Sequence, residues 1–294
     1  MIRRQVWKLM AAIAVLTVSH GALAADKLVV GGKNFTEQLL VAEITAQYLA
    51  AQGYDIDRKT GMGSALLREA QENGQIDLYW EYTGTSLQVY NKIEEVFPAD
   101  ETYAKVKELD ADKGIVWLNP STANNTFAIG VRNDDDNPLH TISDLAEAIS
   151  AGETVTMAAG VEFLNRKDGL PGLMDTYGFK WPRAQLKTME IGLTYNALKN
   201  GDVDAGMVYS TDGRIMAFNF RVLEDDKGFF PPYAMTPVVR AETLEAHPEL
   251  EGLLNGLAAI FSDEVMQGLN AAVDVDHESI EKVASEFLKT QGLV

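Results

Sequence analysis

Two short stretches, 127 residues apart, decide how this chain is read. The first is Asn73-Gly74-Gln75-Ile76-Asp77-Leu78-Tyr79-Trp80-Glu81-Tyr82-Thr83. The second is Asn200-Gly201-Asp202-Val203-Asp204-Ala205-Gly206-Met207-Val208-Tyr209-Ser210. Each reads as a helix stopped by Asn-Gly, then a buried strand, then a tyrosine at the strand's carboxyl end. In open α/β sheets, ligands bind beyond the carboxyl ends of the strands. One copy in each of two lobes would set Tyr82 and Tyr209 on opposite walls of a cleft. Two ordinary αβ units that resemble each other by chance are the alternative reading.

The surrounding sequence repeats the same grammar. Residues 27–30 read as a strand closed by Gly31-Gly32, and Asn34 with Glu37 three positions on reads as a capping box. Leu39, Leu40, Ile44 and Tyr48 recur at helical spacing until Gly53. A strand over 54–60, a helix from Ser64 to Asn73 and a strand over 76–80 follow. After residue 150 come a strand over 154–158, a helix ending at Tyr177-Gly178, a helix over 193–199 and a strand over 203–209. Beyond Pro237 the pattern is mostly helical, with Leu253, Leu257, Ile260 and Phe261 on one face. Strands alternating with helices predict an α/β fold whose sheets are mostly parallel.

Composition narrows the function classes. Arg3, Arg4 and Lys8, a short apolar run and Ala22-Leu23-Ala24 read as a cleavable signal peptide over 1–24, with the mature chain starting at Ala25. The apolar run is too short for a membrane span. The chain has no cysteine, hence neither a lipid-anchor thiol nor disulfides. A free protein of a bacterial periplasm is the expectation. Cleavage would leave the mature chain three units more negative than the −18 of the whole. Such a surface argues against nucleic acid and anionic lipid as partners. The length past the leader exceeds one comfortable core and predicts two lobes.

Catalytic and metal signatures are weak. His140, His247 and His277 stand in no metal-ligand spacing, and no nucleophile elbow is present. Asp134-Asp135-Asp136 lacks the alternation of a calcium loop. Gly61-x-Gly63 ahead of a helix reads either as an anion seat or as a plain tight turn. The expectation is therefore no enzyme, no cofactor and no metal. Phe127, Tyr209 and Tyr233 at loop positions, with Lys33 and Arg166 at loop–helix junctions, are more informative. Aromatic faces attract quaternary ammonium groups, at about 0.5–2 kcal/mol per contact. A neighbouring Arg or Lys can hold a carboxylate. Core packing is the competing reading for any one ring.

These motifs carry a resemblance. Gly32-Lys33-Asn34-Phe35-Thr36-Glu37-Gln38, Glu81-Tyr82-Thr83-Gly84-Thr85, Tyr209-Ser210-Thr211-Asp212-Gly213 and Phe229-Phe230-Pro231-Pro232-Tyr233 resemble the glycine betaine/carnitine/choline-binding proteins of osmoprotectant ABC importers. The resemblance implies a two-lobed periplasmic-binding-protein fold of type II with two crossover segments. Lobe 1 would be 25–126 with 236–294, and lobe 2 would be 127–235. It implies an aromatic cage of Tyr82, Phe127, Tyr209 and Tyr233, with Lys33, Thr85 and Arg166 holding a carboxylate. Phe127 stands where many relatives have Tyr, and Trp80 where a Pro commonly precedes Glu-Tyr-Thr-Gly. The implied function is capture of a quaternary-ammonium solute by a monomer and delivery to an ABC permease. Glycine betaine is the first choice, with choline, carnitine and proline betaine also possible. A larger betaine such as ergothioneine, a ligand-sensing module and a secreted enzyme on the same fold are the rival readings.

Overall fold

The computed structural model describes residues 27–294; the expected signal peptide and its cleavage site lie outside the described residues. The described chain forms strands β1 (Lys27–Lys33), β2 (Asp55–Met62), β3 (Leu78–Tyr82), β4 (Ile115–Trp117), β5 (Phe127–Arg132), β6 (Met157–Ala159), β7 (Leu186–Thr188), β8 (Ala205–Tyr209), β9 (Phe220–Val222) and β10 (Met235–Arg240). They make two five-stranded sheets of order β2-β1-β3-β10-β4 and β7-β6-β8-β5-β9. These are the same order. In each sheet four strands run one way and one returns, β10 against β3 and β4, β5 against β8 and β9. The returning strand is in both cases the one the chain lays down on crossing between lobes.

The echo seen in the sequence is structural. Gly74 and Gly201 both take left-handed φ, +73° and +78°, which ends the helix before each strand. Asp77 then accepts the Val29 amide at 2.7 Å, and Asp204 accepts the Thr156 amide at 2.8 Å. Each carboxylate thereby ties the start of its strand to the neighbouring parallel strand. Arg240 on β10 pairs with Asp77, and Arg132 on β5 approaches Asp204. The chance-similarity reading falls on these matched contacts.

Some sequence expectations change. The first helix, Thr36–Ala51, starts after Phe35 with no side-chain cap, so Asn34 and Glu37 form no capping box. Glu37 is turned inward instead. This helix is buried on nearly every side, because the sheet covers one face and helices Asp263–Asp274 and Ile280–Thr290 cover another. Leu40, Ile44 and Leu49 are fully buried there, each worth about 1.5–3 kcal/mol relative to exposure. Pro237 lies inside β10, and the C-terminal helices begin only at Ala241. Three-residue strands such as β4, β7 and β9 are too short to leave a periodicity. Trp80 packs edge-on against Phe261, with its indole donating to the Thr45 hydroxyl at 2.9 Å.

Two crossover segments join the lobes side by side. Asn124 and Ala234 form an antiparallel bridge, the Asn125 amide donates to the Tyr233 carbonyl at 3.1 Å, and the Tyr233 amide donates to Asn124 Oδ1 at 2.7 Å.

Candidate functional site

The carboxyl ends of β1, β3 and β8 and the first crossover meet around a small cavity between the lobes. Lys33, Tyr82, Thr85, Phe127, Arg166, Tyr209 and Tyr233 all line it. Their positions follow from the topology. Lys33 ends β1, Tyr82 ends β3, Thr85 lies one turn on, and Tyr209 ends β8. Phe127 opens β5 directly opposite Tyr209 in the ladder, and Tyr233 sits in the second crossover two residues before β10. Arg166 follows the short helix Val161–Asn165 that comes after β6.

The aromatic end is a set of touching rings. Phe127 stacks with Tyr209 at 5.6 Å between centroids and meets Tyr233 edge-on at 5.7 Å. Phe35 also belongs to it, stacking with Tyr209 at 5.0 Å and with Tyr82 at 6.3 Å. Phe35 was part of a motif read from sequence but was not singled out as a site residue. Phe35 and Tyr82 come from lobe 1, Phe127 and Tyr209 from lobe 2, so the ring set is shared between the lobes. Asn125 lies in the wall as well. Its Nδ2 donates to Glu37 at 2.7 Å, and its buried Oδ1 has no hydrogen-bond partner among the described residues. Such an oxygen can face electropositive N-methyl groups.

Behind the rings stands Glu37. Its carboxylate accepts from Tyr82 Oη at 2.7 Å, Thr211 Oγ1 at 2.6 Å, Asn125 Nδ2 at 2.7 Å and Asn270 Nδ2 at 3.2 Å. Burial raises its pKa above the ordinary carboxyl value, against the pull of those four donors. It ties lobe 1, the first crossover and lobe 2 together. Burial likewise pushes the Tyr82 phenol well above its usual range, so it stays a donor.

The polar end is more crowded with acids than the sequence implied. Lys33 Nζ lies 2.5 Å from Glu81 Oε1, and both side chains are buried. Glu81 also accepts from the Tyr79 and Tyr90 hydroxyls and the Tyr82 amide, which fixes it in place. Arg166 is gripped by Asp168, with Nε donating at 2.8 Å, and Asp168 accepts Tyr233 Oη at 2.6 Å. The remaining edge of the guanidinium reaches Glu162 Oε2 at 3.1 Å and Thr85 Oγ1 at 3.2 Å. Lys33 and Arg166 therefore bring their charge to the cavity already partnered. Phe35, Glu37, Glu81, Asn125, Glu162 and Asp168 were not named as site residues from the sequence. Phe35, Glu37 and Glu81 stood inside motifs read from the sequence, and Glu162 left a local signal in its i,i+4 spacing with Arg166. Trp80 is absent from the lining, so its departure from the family pattern touches packing, not the cavity wall.

Residues 26–290 match the model of the substrate binding domain of ABC-type glycine betaine transport systems. A glycine-betaine-binding protein of Pseudomonas aeruginosa is 42% identical over 282 residues, covering 93% of this chain and 91% of that protein. The glycine betaine-binding protein YehZ of Escherichia coli is 35% identical over 291 residues, covering 95% of each. A crystal structure described as a glycine betaine/carnitine/choline ABC transporter superposes with a TM-score of 0.74 at 27% identity, covering 92% of this chain and 99% of that one. The architecture is the mixed α/β, type II periplasmic-binding-protein fold. The chain belongs to the family of substrate-binding domains of ABC-type glycine betaine transport systems, a class that binds its ligand without chemically transforming it.

Proposed function

We propose that this chain captures a quaternary-ammonium compatible solute, glycine betaine first, in the periplasm and hands it to the permease of an ABC importer. The observation that carries this reading is the cavity itself, lined by aromatic rings from both lobes and by Thr85, with Arg166 over the Phe127 ring and Lys33 over the Tyr82 ring. Lobe 1 (25–126 with 236–294) and lobe 2 (127–235) close over the solute about the paired crossovers. The ring faces offset the loss of water around the trimethylammonium group, which accepts no hydrogen bonds. Thr85 and the edge of Arg166 that now reaches Glu162 take the carboxylate. A closed cleft excludes water from both ends, and the differential affinity for the closed form drives the closure.

Choline, carnitine and proline betaine share the cationic end and belong to the same reading. A larger betaine such as ergothioneine is favoured by one observation. Phe35 and Tyr209 line both this cavity and an adjoining, larger cleft bounded by Glu162, Met189, Glu190 and Ile191.

Calorimetric titration of the ligand-stripped protein with glycine betaine, choline, carnitine, proline betaine and ergothioneine tests the reading. At least one should bind, and Arg166→Ala should weaken glycine betaine at least tenfold more than choline, about 1.4 kcal/mol. Binding of ordinary amino acids with none of these solutes would refute it.

A further inference from the structure

Among the described residues that line the cavity, Glu162 is the carboxylate, and it spans the lobes. It sits in lobe 2, yet its Oε1 accepts the Ser64 amide at 2.8 Å and its Oε2 accepts the Ser64 hydroxyl at 2.9 Å, both in lobe 1. Ser64 is the first residue of the helix Ser64–Glu72, so the carboxylate lies at that helix's positive end. Gly63, which precedes it, has no side chain, and a Cβ there would meet Glu162 Oε1 at 3.4 Å. The anion seat left open by Gly61-x-Gly63 in the sequence is thus filled by the protein's own carboxylate. Glu162 also holds Arg166 Nη1 at 3.1 Å, on the edge that Asp168 leaves free. Burial alone would raise its pKa, but the Ser64 amide and the charges of Arg166 and Lys33 pull it below the ordinary value, so it is ionised at neutral pH.

We propose that Glu162 is a built-in competitor for the ligand's carboxylate, which bridges the lobes when the site is empty and sets the preference between carboxylate-bearing and carboxylate-free ligands. This rests on the quaternary-ammonium reading above. The charges require it. Lys33 and Arg166 face Glu81, Asp168 and Glu162, so the polar end already carries one more carboxylate than it has cations. A fourth carboxylate, from a betaine, is bound only when Glu162 swings off Arg166 towards the cleft mouth, where its side chain is already 40% exposed. Choline brings a cation and no carboxylate, and leaves Glu162 where it is.

Glu162→Gln keeps the shape and removes the charge. With this variant the ratio of choline Kd to glycine betaine Kd should rise at least fivefold over wild type. A ratio cancels any change in the cost of closing that the two ligands share. A second readout needs no ligand. The chain has no native cysteine, so Glu69→Cys on the helix Ser64–Glu72 and Asn196→Cys on the helix Ile191–Lys199 can carry spin labels across the cleft. The ligand-free distance distribution should move to longer values in Glu162→Gln. An unchanged ratio, or an unchanged ligand-free distribution, overturns the proposal. If wild type binds neither solute, the functional reading fails by itself, and the ligand-free distances still decide for or against Glu162.

Discussion

Tyr82 ends β3 in lobe 1, and Tyr209 ends β8 in lobe 2, each facing the first residue of the returning strand, Met235 and Phe127 respectively. Their backbones are equivalent, but their side chains are held in different ways. Tyr82 is 4% exposed, and its hydroxyl donates to Glu37 and accepts from Gln38. Tyr209 is only half-buried, and its ring is positioned by stacking with Phe35 and Phe127. A duplicated strand end has become a structural post in one lobe and a presented surface in the other. The neighbours decide this: the first helix of lobe 1 places Glu37 and Gln38 under Tyr82, whereas Tyr209 faces the cleft.

Tyr82→Ala breaks the comparison most severely. It should cost about 3–5 kcal/mol of stability, because it opens a cavity and strips the buried Glu37 of a donor. Urea unfolding measures this, and an equal loss for Tyr209→Ala would erase the distinction between the two positions. Acid should also separate the lobes. Asp110 in lobe 1 is buried, which by itself would raise its pKa, but the Arg68 fork at 2.8 and 2.9 Å lowers it to about 2. A carboxyl lowered from 3.8 contributes stability above the unfolded value and loses it as the pH falls through about 2, a loss of roughly 2 kcal/mol. In lobe 2 the depressed carboxyls are the exposed Asp226, the partly exposed Asp144 and Glu162 at the cleft, and none is fully buried as Asp110 is. On acidification, Trp117 fluorescence in lobe 1 should therefore change before that of Trp181 in lobe 2, and Asp110→Asn should remove the difference.

Tyr209→Ala should act on binding more than on folding, weakening glycine betaine at least tenfold, about 1.4 kcal/mol. A stability loss with unchanged titration would make it a packing residue like its counterpart. The smallest effect sharpens the same contrast. Tyr209→Phe keeps the stacked ring and should change stability by no more than about 0.5 kcal/mol, as denaturation midpoints would show.

Much of this was legible in the chain itself. The Asn-Gly stops, the strand runs and the aspartates at Asp77 and Asp204 are local signals, because helix termination and strand burial are decided within a few residues. The seven cavity residues read through the family resemblance all line one space. Glu81, Asp168 and Glu162 stayed hidden for a different reason. An acidic residue in an acidic chain looks solvated until its partners are known, and for Glu81 and Glu162 those partners, Lys33 and Ser64, lie 48 and 98 residues away.

The sequence by itself determined the two-fold αβ repeat, the strand ends that carry Tyr82 and Tyr209, and the membership of a solute-binding family. Only the tertiary structure decided how the site is charged. Side chains from both lobes share one small, poorly solvated space, where each cation is matched to a particular carboxylate by distance. Spacing along a chain does not encode distance across a cleft, so the contact of Glu162 with Ser64 became visible only once the lobes faced each other, and the pairing of Lys33 with Glu81 only once β1 and β3 lay in one sheet.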